Sequence, residues 1–224
     1  MVNKISLGYA LDVTRDVPDE FVDCVVTSPP YWQLRDYGFE GQWGAEKTYQ
    51  EYLEHLWSLM DEIKRVLKPT GTVWINLGDT YGGSWGNYGK RESKQRVVKK
   101  KRSPRKGAFS SEHFPAASKA PAKCQLLIPH RFAIGCIDRN WIVRNDIVWA
   151  KRNGIQESVK DRFSKKHEYV FFMTKNKKYY FDLDGVKDAR TAKNKAGKNP
   201  GTISDFWDIP VASGILEAFC KIQP

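Results

Sequence analysis

An α/β architecture is expected from three stretches in the first eighty residues. Phe21-Val22-Asp23-Cys24-Val25-Val26-Thr27 is a short apolar run rich in β-branched residues, and it stops at Ser28-Pro29-Pro30. That is the pattern of a buried strand closed by prolines. Residues 48–67 carry helical period: Tyr52, Leu53, Leu56, Leu59, Met60, Ile63, Val66 and Leu67 fall on one broad face. Thr72-Val73-Trp74-Ile75-Asn76-Leu77 is a second buried run. Strand, helix and strand with short connections form a parallel crossover unit.

Each element has its own end signals. Thr48 is placed to cap the helix, and Glu51 three residues later completes a capping box. Lys68-Pro69-Thr70-Gly71 is expected to end the helix. Residues 82–123 contain Gly, Ser, Lys, Arg and Pro with few aliphatic residues, so a loop or insertion is expected there. Order returns at Gln125. Pro129 suits the first turn of a helix running to about Arg139. Residues 141–151 read as a strand with Trp141, Val143, Ile147 and Trp149 on one face, and His167 to Thr174 as another. Lys177 to Leu183 reads as a third, joined to its predecessor through a Lys175-Asn176 turn. The chain therefore divides into 1–81, an α/β half; 82–124, a basic insertion; 125–210, further helix and strands; and 211–224, a tail.

Composition narrows the class. The chain has 224 residues, 41% hydrophobic and 28% charged, as soluble globular proteins do. The apolar runs are too short to span a membrane, and Met1 to Ile5 opens no signal peptide. Cys24, Cys124, Cys136 and Cys220 are far apart, which argues against a zinc site or a disulfide framework. No metal is expected, and a cytoplasmic setting is the simplest. The net charge of +11 is local: Lys90 to Lys106 holds ten basic residues and one acidic one, Glu92. Two readings of that run stand, a solvated loop or a contact surface for a polyanion.

The stretch that carries chemistry is Ser28-Pro29-Pro30-Tyr31-Trp32. A Ser-Pro-Pro-Tyr tetrapeptide arises by chance in a chain of this length with odds on the order of one in a thousand. It sits at the carboxyl end of an expected strand, where open α/β sheets place their ligands. Proline has no N–H, so the turn presents carbonyls with little competition from donors.

This segment resembles the catalytic motif of the amino-directed DNA methyltransferases, which methylate cytosine N4 or adenine N6. Ser-Pro-Pro-Tyr-Trp is most similar to the cytosine-N4 enzymes; adenine-N6 enzymes more often have Asp or Asn where Ser28 stands. Further similar segments are Asn76-Leu77-Gly78-Asp79-Thr80-Tyr81, residues 141–151, Glu157 to Phe163, His167-Glu168-Tyr169 and Lys178 to Asp182. With the catalytic motif first, the order matches the permuted subgroup. The resemblance implies a Rossmann-like fold, S-adenosylmethionine as methyl donor and double-stranded DNA as substrate, with the target base flipped out of the duplex. The setting implied is restriction-modification or phage DNA modification. An exocyclic amine is a weak nucleophile, and accepting hydrogen bonds from it restores its lone pair. The resemblance implies that Ser28 and the Pro29 carbonyl are those acceptors, that Pro30 shapes the turn, that Tyr31 stacks on the base and that Trp32 walls the pocket. It also places Thr27 and Ser28 beside the cofactor.

Other positions keep two readings. Asp79 either reaches the base pocket or stabilises a turn. Arg162, Lys165 and Lys166 either contact phosphate or form a solvated surface turn. The basic insertion, with Lys90, Arg91, Lys99, Lys100, Lys101, Arg102, Arg105 and Lys106, is suited to clamping DNA by counterion release. His167 is expected to be structural. The family's glycine-rich cofactor loop has no counterpart in this sequence, so the fold is expected to be incomplete. Three explanations follow: a chain truncated or frameshifted before that loop, a second chain supplying the cofactor half, or a non-catalytic DNA-binding remnant. Where many relatives have Gly-Asp, this chain has Gly8-Tyr9.

Overall fold

The computed structural model describes residues 5–34, 37, 41–82, 121–154, 157, 159–182, 185 and 204–210. The expected basic insertion at Lys90 to Lys106 and the tail at 211–224 lie outside the described residues.

Strand β1 (Val22–Thr27) is followed by the Ser28–Tyr31 turn and then by helix α2 (Tyr49–Val66), and a short helix, α1 (Ala10–Arg15), precedes it. Helix α2 begins as expected: Thr48 Oγ1 accepts from the Glu51 N–H, and the Glu51 carboxylate accepts from the Thr48 N–H. Seven of its residues, from Tyr52 to Val66, are buried. It passes straight into strand β2 (Leu67–Leu77), which pairs with β1 in parallel. Thus Lys68-Pro69-Thr70-Gly71 does not form a connecting turn. Val22 pairs with Leu67 but Cys24 pairs with Thr72, so the four residues bulge out of the ladder. Pro69 is tolerated there because a bulge asks it for no ladder N–H.

Helix α3 (Ile128–Asp138) carries proline in its first turn. Strands β3 (Ile142–Ala150) and β4 (His167–Thr174) follow, antiparallel to each other, and β5 (Phe206–Asp208) pairs in parallel with β3. The strand order is β1-β2-β4-β3-β5, a mixed α/β sheet. Two expectations are corrected here. Of the expected strand from Lys177 to Leu183, the described residues 177–182 make no hairpin with β4, because both edges of β4 are already taken by β2 and β3. That segment instead closes over the β2 bulge, with Tyr180 N–H donating to the Thr70 carbonyl and Asn176 to the Pro69 carbonyl. Strand β5 was not foreseen, since three residues carry no readable period.

The second correction concerns β3. Val143 pairs with Met173 and Asn145 with Phe172, so Arg144 is an extra residue. One inserted residue exchanges the faces of everything after it. Trp141 and Val143 therefore pack with α2 and α3 on one side of the sheet, in the core of Tyr52, Leu56, Phe132 and Phe171. Ile147 and Trp149 pack on the other side, with Val170 and Phe172. There Trp74 stacks on Phe172 at 4.2 Å, and Tyr179, Trp207 and Ile209 cover them.

Helices α2 and α3 meet at Gly135, where an added Cβ would lie 2.2 Å from the Trp57 ring. Trp57 cannot swing aside freely, because its indole N–H donates to the Phe132 carbonyl. Gly to Ala in an open helix gains about 1 kcal/mol. Here Gly135→Ala is expected to lose about 1–3 kcal/mol by overpacking, measured by urea denaturation.

Candidate functional site

The Ser28–Tyr31 turn stands at the carboxyl end of β1, beside the ends of β2 and β3 and the start of β4. Ser28 is exposed and Pro29 buried. Strand β2 offers Asn76, whose Oδ1 accepts from Ser28 Oγ at 2.8 Å and from the Tyr31 hydroxyl at 2.5 Å. Strand β4 offers Glu168, whose Oε2 lies 2.8 Å from the Tyr31 hydroxyl. Lys151, just past β3, pairs with the other Glu168 oxygen. The network therefore runs Ser28–Asn76–Tyr31–Glu168–Lys151 and joins four chain segments. Burial first, and the charge of Glu168 second, hold the Tyr31 phenol protonated far above its ordinary range.

Close backbone approach seats the turn. An added Cβ at Gly78 would meet the Tyr31 ring at 2.6 Å, so only glycine lets the ring lie there. Gly44, at φ +89°, lies against the Tyr31 carbonyl and accepts from the Gln33 N–H. Trp32 is 3% exposed, packs edge-on against Tyr49 and donates to the Glu46 carbonyl. It is part of the helix-covered core.

Asp79 takes the structural one of its two readings, because its side chain is 1% exposed and fully engaged. Its Oδ1 accepts from the Thr80 and Ile128 N–H groups, the latter at the start of α3. Its Oδ2 accepts from Gln125 Nε2 and pairs with Lys165 Nζ at 3.3 Å. Lys165 is thereby an internal partner, 12% exposed, and not a free phosphate contact. Arg162 is also held: it pairs with Glu157 and lies over the Tyr81 ring at 4.0 Å. Lys166 is exposed on the β3–β4 connection, where its carbonyl accepts from the Lys151 N–H. Thr27 is the last residue of β1.

Asn76, Glu168 and Lys151 were given no role from the sequence. The available signals were an amide inside an otherwise apolar strand and a carboxylate opening another. Both ask for a partner when buried, but neither names one.

A DNA methylase family model, that of the N6- and N4-directed methyltransferases, matches residues 22–215. The chain belongs to that family. It is 37% identical to the type II methyltransferase M.SmaI of Serratia marcescens over 206 residues, 92% of this chain and 66% of that protein. It is 40% identical to the type II methyltransferase M.Cfr9I of Citrobacter freundii, over 82% of this chain and 58% of that protein. The chain thus spans about three-fifths to two-thirds of the length of these relatives. Among solved structures it resembles the PvuII DNA methyltransferase (cytosine-N4-specific), with a TM-score of 0.60 over 96% of this chain and 59% of that one, at 14% identity. It also resembles a putative DNA modification methylase of Thermus thermophilus, solved with S-adenosyl-L-methionine, at a TM-score of 0.50, 21% identity and 82% of this chain against 62% of that one. These likenesses show the Rossmann-like methyltransferase fold.

In this family member the Asp79 carboxylate is a joint of the fold. Asp79→Ala strips a near-buried pair and a helix-end acceptor together and is expected to cost about 3 kcal/mol, read as a lowered urea midpoint. Burial first, then the charges of Lys165 and His130, hold the nearby His167 imidazole below its ordinary pKa, with Asp79 opposing them. The unfolded chain therefore takes up that proton first, so stability falls as pH drops below about 6.5. His167→Gln is expected to flatten the Tm-against-pH curve between about pH 7 and the lower folded-state pKa.

Proposed function

We propose that this chain is the catalytic portion of a type II DNA methyltransferase that methylates the exocyclic N4 amine of a flipped cytosine. The observation that carries the reading is the exposed Ser28 hydroxyl at the carboxyl end of β1, fixed by Asn76 within the Tyr31–Glu168–Lys151 network. The membership of a DNA methylase family and the type II methyltransferase relatives support the substrate class. A serine at position 28, where an acidic or amide residue favours adenine enzymes, supports cytosine. The cytosine-N4-specific PvuII enzyme agrees with this choice of base.

The chemistry needs an amine made nucleophilic. Ser28 Oγ and the Pro29 carbonyl accept hydrogen bonds from the two amine N–H groups and so leave the nitrogen lone pair out of the ring; the one proton the nitrogen sheds on methylation leaves to water. Tyr31, tethered by its hydroxyl, offers its ring for stacking. S-adenosylmethionine, when bound, supplies an electrophilic methyl group. The donor set suits a positively charged methyl donor. Ser28 Oγ and a carbonyl face the reaction without a competing cation, since Lys151 is neutralised by Glu168. Thr27 and Ser28 would border it. The basic residues from Lys90 to Lys106 are proposed to grip the phosphate backbone by counterion release, with the exposed Lys166 adding a phosphate contact.

The test is transfer of labelled methyl from S-adenosylmethionine to plasmid DNA, followed by digestion and identification of the modified base. N4-methylcytosine is the expected product. Ser28→Ala is expected to lower transfer by about 10²–10³ while affinity for duplex DNA without a target site, which rests on phosphate contacts, stays within about twofold. N6-methyladenine as the product would overturn the choice of base, and full transfer by Ser28→Ala would overturn the assignment of the acceptor.

A further inference from the structure

Asn76 is 2% exposed, and its amide is held in one orientation. Its Nδ2 donates to the Tyr169 carbonyl at 3.2 Å, while its Oδ1 receives Ser28 Oγ and the Tyr31 hydroxyl. Turning the amide over would set its oxygen against the Tyr169 carbonyl, acceptor against acceptor, so the partners decide which atom is oxygen. An amide oxygen cannot donate. The single proton of the Ser28 hydroxyl therefore points at Asn76. What the exposed side of Ser28 presents outward is lone pairs alone.

We propose that Asn76 is a positioning residue that makes the Ser28 hydroxyl an obligate acceptor, and so sets the site to prefer an amino-bearing base over a keto-bearing one. The proposal rests on the reading of Ser28 as acceptor for the exocyclic amine. Cytosine carries an NH2 at position 4, and uracil carries a carbonyl oxygen on the same ring. The amine donates to Ser28. The carbonyl meets lone pairs and gains nothing, which costs affinity because a desolvated acceptor is left unpaired. A hydroxyl free to rotate would donate to the carbonyl and erase the difference. Glu168 and Lys151 contribute by holding Tyr31, whose single phenolic proton lies between Glu168 Oε2 and Asn76 Oδ1. No proton-transfer role for Asn76 is needed.

The test uses the full chain and short fluorescent single strands of oligo-dC and oligo-dU, titrated by anisotropy. Single strands remove the need for a target sequence and for base extrusion. Wild type is expected to favour oligo-dC by about tenfold, the value of one hydrogen bond with its desolvation penalty. Asn76→Leu, or Asn76→Ala should the first fail to fold, is expected to bring the ratio to within about twofold, mainly by tightening oligo-dU. Asn76→Asp, still an acceptor, is expected to keep the preference. A purely structural role for Asn76 would weaken both strands alike and leave the ratio unchanged. A wild-type ratio near one, or an unchanged ratio in Asn76→Leu and Asn76→Ala, overturns the proposal. Ser28→Ala separates this from the underlying reading. If Ser28→Ala lowers oligo-dC affinity while the Asn76 variants keep the ratio, only the role of Asn76 fails. If Ser28→Ala changes neither strand, the acceptor reading itself fails.

Discussion

One near-buried carboxylate holds the site end of the molecule together. Asp79 leaves β2 immediately after the Gly78 that admits the Tyr31 ring, and it accepts from the first turn of α3, from Gln125 and from Lys165. Those donors come from segments far apart in sequence. A carboxylate with both oxygens satisfied inside the protein repays its desolvation only when every partner stays in place. The exit of β2, the start of α3 and the β3–β4 connection are therefore coupled, and the Ser28–Tyr31 turn rests on the first of them through Asn76 and Gly78.

The sheet beneath is regular except where two bulges interrupt it. The bulge at residues 68–71 lets α2 feed β2 with no loop and leaves carbonyls that the segment 176–180 then satisfies. The bulge at Arg144 moves the second half of β3 to the opposite face. Trp141 then seals the helix-covered core and Trp149 the aromatic layer around Phe172. Without it, one face would carry four large residues and the other would lack them.

Long periodic elements were legible in the sequence. Seven of the eight apolar positions of residues 48–67, the Thr48–Glu51 capping box and Pro129 at the start of α3 stand where their patterns place them, while Leu67 already opens β2. The Ser28–Tyr31 turn was legible because prolines stop a strand and because its spelling is rare. What could not be read was anything set by a neighbour distant in sequence. A bulge leaves no mark in local composition, which is why simple alternation puts Ile147 and Trp149 on one face with Trp141. The strand-like run after Asn176 found no free edge to join. Lys165 looked like a surface cation because its partner is 86 residues away. Asn76 and Glu168 gained meaning only once β2 and β4 were side by side.

Gly82 and the residues from Lys123 to Gln125 are stitched to each other across the stretch of sequence between them. Gly82 N–H donates to the Cys124 carbonyl, Lys123 N–H donates back to the Gly82 carbonyl, and Tyr81 bridges Gln125. The two ends are thus fastened to each other close to Asp79. Fastened ends let the length of chain between them vary at little cost in loop-closure entropy. Change between positions 82 and 123 therefore need not move Asp79, or the start of α3 and the β3–β4 connection that it ties together.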